Sequence, residues 1–179
     1  MTLMSVEPPE TRRAPVVRSV LRAEDRAPIL AILRATGVFR ESEIEVALEL
    51  LDLGLIRGDE SGYRFVVSED GDGAVTGYAC YGIASMSERV YDLFWIAVRP
   101  DQQGTGVAAA LLARVEESVR ALGGHTVVIE TEGTAPYAPA RRFYAKSGYA
   151  EWGRVPDYYR AGADRVILGR RVSSAGERE

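Results

Sequence analysis

The run Leu93-Phe94-Trp95-Ile96-Ala97-Val98 offers apolar side chains to both faces of a strand, and a glycine-bearing turn and an amphipathic helix follow it directly. Such a strand needs cover on both sides, which puts it in the middle of a sheet with helices above and below. The spacing predicts a strand over Val90 to Val98, a turn from Arg99 to Gly106, and a helix to about Leu122 whose buried stripe is Ala108, Leu111, Leu112, Val115, Val119 and Leu122. Thr126 to Thr131 reads as the next strand, so the segment forms a βαβ unit.

Around this unit, Val16 to Leu21 reads as a short strand and Asp25 to Thr36 as a helix closed by Gly37. A second helix is expected to begin near Ser42, where Ser42 and Glu45 have the spacing of a capping box, and to end at Gly54. Tyr63 to Val67 and Val75 to Ile83 form a hairpin across the turn formers Glu69 to Gly73. Ala138 to Lys146 is helical and stopped by Gly148, while Tyr149 to Trp152 and Arg165 to Leu168 supply further strands. The order β-α-α-β-β-β-α-β-α-β-β sets antiparallel hairpins on either side of the βαβ unit. This is an α/β fold with a mixed, mostly antiparallel sheet and helices on both faces.

A chain of 179 residues fits one domain, expected over residues 15–172, with mobile tails at 1–14 and 173–179 where there is almost nothing to bury. The 22 basic and 26 acidic residues leave a net charge of −4, without the cationic excess that nucleic-acid binding needs. One cysteine, Cys80, and one histidine, His125, exclude a disulfide framework and a structural zinc site, and no metal is expected. No apolar stretch reaches the roughly 18 residues of a membrane span, and the N-terminus lacks a signal-peptide core, so the expected location is cytoplasmic.

The turn before the long helix carries the chemistry. Glycines there let backbone N–H groups approach a ligand at a helix N-terminus, making an anion pocket that needs no Lys or Arg. Taken alone, the pair Gly104 and Gly106 serves the turn as readily as a ligand. A P-loop would require Lys-Ser or Lys-Thr after the glycines, and neither is present; a dinucleotide fingerprint would require a third glycine where Ala109 stands.

The sequence Val98-Arg99-Pro100-Asp101-Gln102-Gln103-Gly104-Thr105-Gly106-Val107-Ala108, followed by Leu111-Leu112, resembles the acetyl-CoA signature of the GNAT N-acetyltransferase superfamily. Its pattern Q/R-x-x-G-x-G/A is met by Gln103, Gly106 and Ala108. A second segment, Ala140-Arg141-Arg142-Phe143-Tyr144-Ala145-Lys146-Ser147-Gly148-Tyr149, is similar to the family's A-x-x-(L/F)-Y-x-x-x-G-(F/Y) helix. The resemblance spans about residues 16–171, with both signatures in the second half. It implies a single-domain fold in which two parallel central strands, Val90–Val98 and Thr126–Glu132, splay around acetyl-CoA. It further implies that amides from Gln103, Gly104, Thr105, Gly106, Val107 and Ala108 hold the pyrophosphate, and that main chain at Ile96, Ala97 and Val98 bonds the pantetheine arm and polarises the acetyl carbonyl. Many members have an Asn seven residues before the catalytic tyrosine; Tyr137 stands there, to supply a hydroxyl to the cofactor or to pack at the helix start.

Acyl transfer from a thioester to an amine poses two proton problems. An alkylamine of pKa about 10 needs a carboxylate to take its proton, and the departing thiolate benefits from a donor such as a tyrosine. Tyr144 matches the family's general-acid tyrosine. Glu130 and Glu132 share one face of a strand, and Asp92 lies on the neighbouring strand. By resemblance, Asp92 occupies the base position of histone-modifying members, and Glu132 that of ribosomal-protein N-terminal acetyltransferases. His125 reads as an exposed strand start and Cys80 as a small buried hydrophobe. The aromatics Phe39, Tyr78, Tyr81, Trp95, Tyr158 and Tyr159 form either core or the wall of an acceptor pocket, and Glu41, Glu43 and Glu45 either favour a helix N-terminus or attract a cationic acceptor. The function expected is direct transfer of acetyl to a primary amine of a small molecule or peptide. The alternative is an acyl-CoA binding or sensing module without catalysis, and exposed sheet edges leave room for a homodimer.

Overall fold

Eleven main elements follow the hydrophobic periodicity closely, and the structure, a computed structural model, describes residues 14–172. Apart from residue 14, the two expected tails lie outside the described residues. The strands are β1 (Val16–Arg18), β2 (Tyr63–Glu69), β3 (Val75–Ile83), β4 (Val90–Val98), β5 (Thr126–Glu132), β6 (Ala150–Arg160) and β7 (Ala163–Arg171). The helices are α1 (Arg26–Ala35), α2 (Glu41–Arg57), α3 (Val107–Ala121) and α4 (Ala138–Lys146). The strands form one sheet in the order β1-β2-β3-β4-β5-β7-β6, in which only β4 and β5 run parallel. The βαβ unit around α3 supplies that pair, as the apolar run in β4 requires.

Each face of the sheet has its own core. On one, Val107, Leu111, Val115 and Val119 of α3 and Tyr144 of α4 pack on Leu93, Val127 and Ile129. On the other, Ile29 and Leu33 of α1 and Ile44, Ala47 and Leu51 of α2 pack on Phe65, Tyr78, Cys80 and Ala97. Gly77 sets the height of α3, because a Cβ there would lie 2.9 Å from the Ala97 carbonyl oxygen and 3.1 Å from Val107 and Leu111. Among the described residues no helix is long and apolar enough to cross a membrane, and no group of three or more potential ligands gathers for a metal.

Three local expectations are corrected. Helix α2 begins at Glu41 after Arg40, and the cap is the Arg40 N–H donating to Glu43 Oε2 at 2.8 Å, two residues before the pair Ser42 and Glu45. Helix α2 also runs through Gly54 to Arg57. A Cβ at Gly54 would sit 2.3 Å from Phe65 Cε2, so this glycine makes room for a ring under the helix and does not end it. Finally, β6 and β7 form a much longer hairpin than the short apolar runs suggested, because β6 is an edge strand whose residues are nearly all exposed.

Candidate active site

Pairing between β4 and β5 ends at Leu93 opposite Ile129, so Phe94 to Val98 and Glu130 to Glu132 diverge and leave an opening through the sheet. The expected splay is present, and a bulge sharpens it: Tyr81 faces Leu93 and Cys80 faces Trp95, which leaves Phe94 without an opposite residue on β3. Beyond the bulge, the Arg99 N–H donates to the Thr76 carbonyl at 2.8 Å. Antiparallel alternation then pairs Ala97 with Tyr78 and turns the N–H and C=O groups of Ile96 and Val98 toward the opening. Ala97 itself belongs to the β3 side.

At one end of the opening lies the N-terminus of α3. Gly104 and Gly106 take φ of 74° and 97°, values that favour glycine, and a Cβ at either would meet only open space. The amides of Gly104, Gly106, Val107 and Ala108 find no acceptor among the described residues, and the first turn of α3 carries no acidic side chain. Gln103 and Thr105 are tied into the turn, with the Gln103 N–H donating to the Pro100 carbonyl at 3.3 Å and Thr105 Oγ1 donating to the Gln102 carbonyl at 2.6 Å. Unpartnered amides at a positive helix end suit a diphosphate, so the residues present fit the group that the resemblance implies.

A cavity of about 940 Å³ runs from this end through the opening. On the α3/α4 side it is lined by Ala140, Phe143 and Tyr144. Tyr144 is buried, its hydroxyl has no partner among the described residues, and burial pushes its pKa well above the ordinary tyrosine value, so the phenol stays protonated. The carboxylates lie on the other side. Leu93 and Ile129 point toward α3 and α4, so by strand alternation Asp92, Glu130 and Glu132 point toward α1 and α2.

The three carboxylates differ in their partners. Glu132 is buried and receives Arg160 Nη1 and Nη2 at 2.8 and 2.7 Å and the Thr134 hydroxyl at 2.6 Å; the Arg160 bonds outweigh the opposing effect of burial and hold its pKa below the usual value. Glu130 is ion-paired with Arg165, whose guanidinium lies over the Tyr158 ring at 4.8 Å. Asp92 accepts no hydrogen bond from a described side chain, and partial burial, helped by the Glu130 charge, raises its pKa. Asp92 thus lacks the guanidinium partner that Glu130 and Glu132 each have among the described residues.

Tyr137 lies at the start of α4, but its hydroxyl donates to the Val38 carbonyl at 3.1 Å, in the α1–α2 loop. That bond ties it to the α1–α2 loop, and its ring lines the cavity. Of the aromatic group, Phe39, Trp95 and Tyr159 line the cavity, Tyr78 and Tyr81 are core, and Tyr158 braces Arg165. His125 stays outside, its ring 2.7 Å from the Thr126 hydroxyl, and burial pushes the Cys80 thiol far up, as expected of an inert core residue. Arg160, Arg165 and Phe94 escaped the sequence reading. The two arginines pair with residues 28 and 35 positions away, which no local pattern reveals, and Phe94 acquires its position only through the bulge.

Comparison with known proteins agrees with this fold. The profile of the acetyltransferase (GNAT) family matches residues 28–149. Mycothiol acetyltransferase of Geodermatophilus obscurus is 32% identical over 166 residues, covering 91% of this chain and 47% of that relative. The matched segments span 45–64% of the length of these curated relatives. A crystal structure from Desulfovibrio desulfuricans, described as of the GNAT family, superposes with a TM-score of 0.85 at 40% identity, covering 89% of this chain and 99% of that one. The structure of yncA from Salmonella typhimurium with acetyl-CoA has the same fold at TM-score 0.71 and 21% identity, covering 93% of this chain and 99% of that one.

Proposed function

The chain belongs to the GNAT acetyltransferase family, and from that premise we propose that it transfers acetyl from acetyl-CoA directly to a primary amine. The observation that carries the reading is the opening between β4 and β5, with unpartnered helix amides at one end, a protonated tyrosine on one face of the sheet and an unpaired carboxylate on the other. The amides of Gly104, Gly106, Val107 and Ala108 hold the diphosphate. The free edge of β4 at Ile96 and Val98 orients the pantetheine arm, and main-chain N–H there stabilises negative charge developing on the acetyl oxygen.

Asp92, directly or through one water, takes the ammonium proton, and the free amine attacks the acetyl carbon. The C–N bond forms as the C–S bond breaks; Tyr144 gives its proton to the departing sulfur and recovers one from solvent, the new amide nitrogen sheds its extra proton to solvent, and Asp92 releases to solvent the proton it took. Glu132, locked by Arg160, holds the end of β5 in place, and Glu130 and Arg165 neutralise each other. No acyl-enzyme and no metal enter this sequence of steps.

The test is thiol release from acetyl-CoA across a panel of amines. Amine-dependent release is expected, with Tyr144→Phe lowering kcat by about 10²-fold or more while acetyl-CoA still raises the melting temperature. Binding of acetyl-CoA without release by any amine would identify a binding module instead, and an absence of binding would end both readings.

A further inference from the structure

The acceptor side of the cavity has an unusual balance of charge. Glu43, Asp92, Glu130, Glu132 and Arg165 line it. Glu43 accepts Arg40 Nε and Nη2 at 3.2 Å, Glu132 accepts Arg160, and Glu130 pairs with Arg165. Asp92 alone is left without an ion-pair partner among the described residues. The single lysine, Lys146, lies at the far end of α4 and does not line the cavity. The lining guanidinium of Arg165 is held between Glu130 and the Tyr158 ring, and its Nε, also without a partner, is buried beyond a ligand's reach. The site thus keeps one free negative charge for a cation and no free positive charge for an anion.

The walls around Asp92 are rings: Phe39, Phe94, Trp95, Tyr137 and Tyr159. Such walls bury an apolar body and attract a cation through the ring faces. Two cross-links restrict the rim, the Tyr137 hydroxyl to the Val38 carbonyl at 3.1 Å and Arg160 to Glu132 at 2.7 Å. We propose, resting on the reading of this cavity as an N-acetyltransferase site, that its acceptor is a small primary amine on an apolar, ring-bearing body with no carboxylate beside the amine. A carboxylate next to the reacting nitrogen would face Asp92 and Glu130 with no guanidinium free to meet it, which rejects amino acids by repulsion and not by size.

Three probes separate charge from shape: phenethylamine, phenylalaninamide and phenylalanine, each compared as kcat/KM per free amine at saturating acetyl-CoA. The first two are expected to lie within about tenfold of each other and phenylalanine at least about thirtyfold below phenylalaninamide. In Glu130→Gln, which releases Arg165, the phenylalanine to phenylalaninamide ratio should rise about tenfold or more. Equal turnover of phenylalanine and phenylalaninamide would overturn the proposal, as would a ratio that Glu130→Gln leaves unmoved. If none of the three is acetylated by protein that binds acetyl-CoA, the acceptor class is wrong while the donor side stands; failure to bind acetyl-CoA removes the underlying reading itself.

Discussion

Asp92 and Glu132 share one face of the sheet yet are shifted in opposite directions, and the difference lies in a single arginine. Arg160 stabilises the ionised form of Glu132, whereas burial and the nearby Glu130 disfavour the ionised form of Asp92. Linkage gives each a distinct signature in stability. The contribution of Glu132, whose pKa is lowered from 4.5, is present above that value and is lost as the pH falls through the lowered pKa. Glu132→Gln should therefore melt lower than the parent at neutral pH, with the gap closing in acid, and should keep kcat within about tenfold. Asp92 has a pKa raised from 3.8, so its contribution is present below 3.8 and is lost as the pH rises through the raised value. Asp92→Asn should match the parent in acid and melt higher at neutral pH, while kcat falls by about 10²–10⁴-fold and the acidic limb of the rate profile disappears. Melting curves from pH 3 to 8 with pH-rate profiles check both variants. A parent-like profile in Asp92→Asn would remove it as the base.

At the scale of elements, the same residue type in one helix context has opposite meanings, which Gly54 illustrates. At an open helix position, Gly→Ala gains up to about 1 kcal/mol. Here the added methyl meets the Phe65 ring at 2.3 Å, so Gly54→Ala should instead cost about 1–3 kcal/mol. The double variant Gly54→Ala, Phe65→Leu should recover part of that loss, read by urea unfolding with the slope unchanged. A stabilised Gly54→Ala would mean that α2 lifts away from β2 without penalty. This glycine also marks what local reading misses. Helix periodicity and a glycine near the end of the pattern suggested a stop, but the reason for the glycine lies in a strand that follows it in the chain. The same holds for the cap at Arg40 and Glu43, where Ser42 and Glu45 offered an equally good spacing and only the entry path of the chain decides between them. By contrast β4, the glycine turn and α3 were legible because their signals are contiguous: a two-faced apolar run, positive-φ glycines and a helical stripe.

At the scale of the whole molecule, Val107 at the start of α3 and Tyr144 belong to one core, Phe39, Phe94 and Trp95 pack on the other, and the opening beside β4 joins the two sides. The glycine turn and the α4 segment were legible as contiguous sequence, whereas ion pairs such as Glu132 with Arg160 were not, since they join strands that only the fold brings together. This division makes the two ligands separable by mutation. Acetyl-CoA at about a hundred times its Kd should stabilise the protein by about 2.7 kcal/mol, or about 5–10 °C for a chain of this size. Phe39→Ala, on the α1–α2 side, should leave that increment unchanged while raising the KM for amine about tenfold, because it removes a wall of the acceptor side alone. Gly106→Ala strains a turn at φ 97° and so disturbs the backbone that presents the diphosphate amides; it should shrink the increment at fixed acetyl-CoA and leave the amine KM unchanged at saturating donor. If Phe39→Ala abolished the acetyl-CoA increment, the two halves would be one coupled site, and the sheet would not be the partition between donor and acceptor.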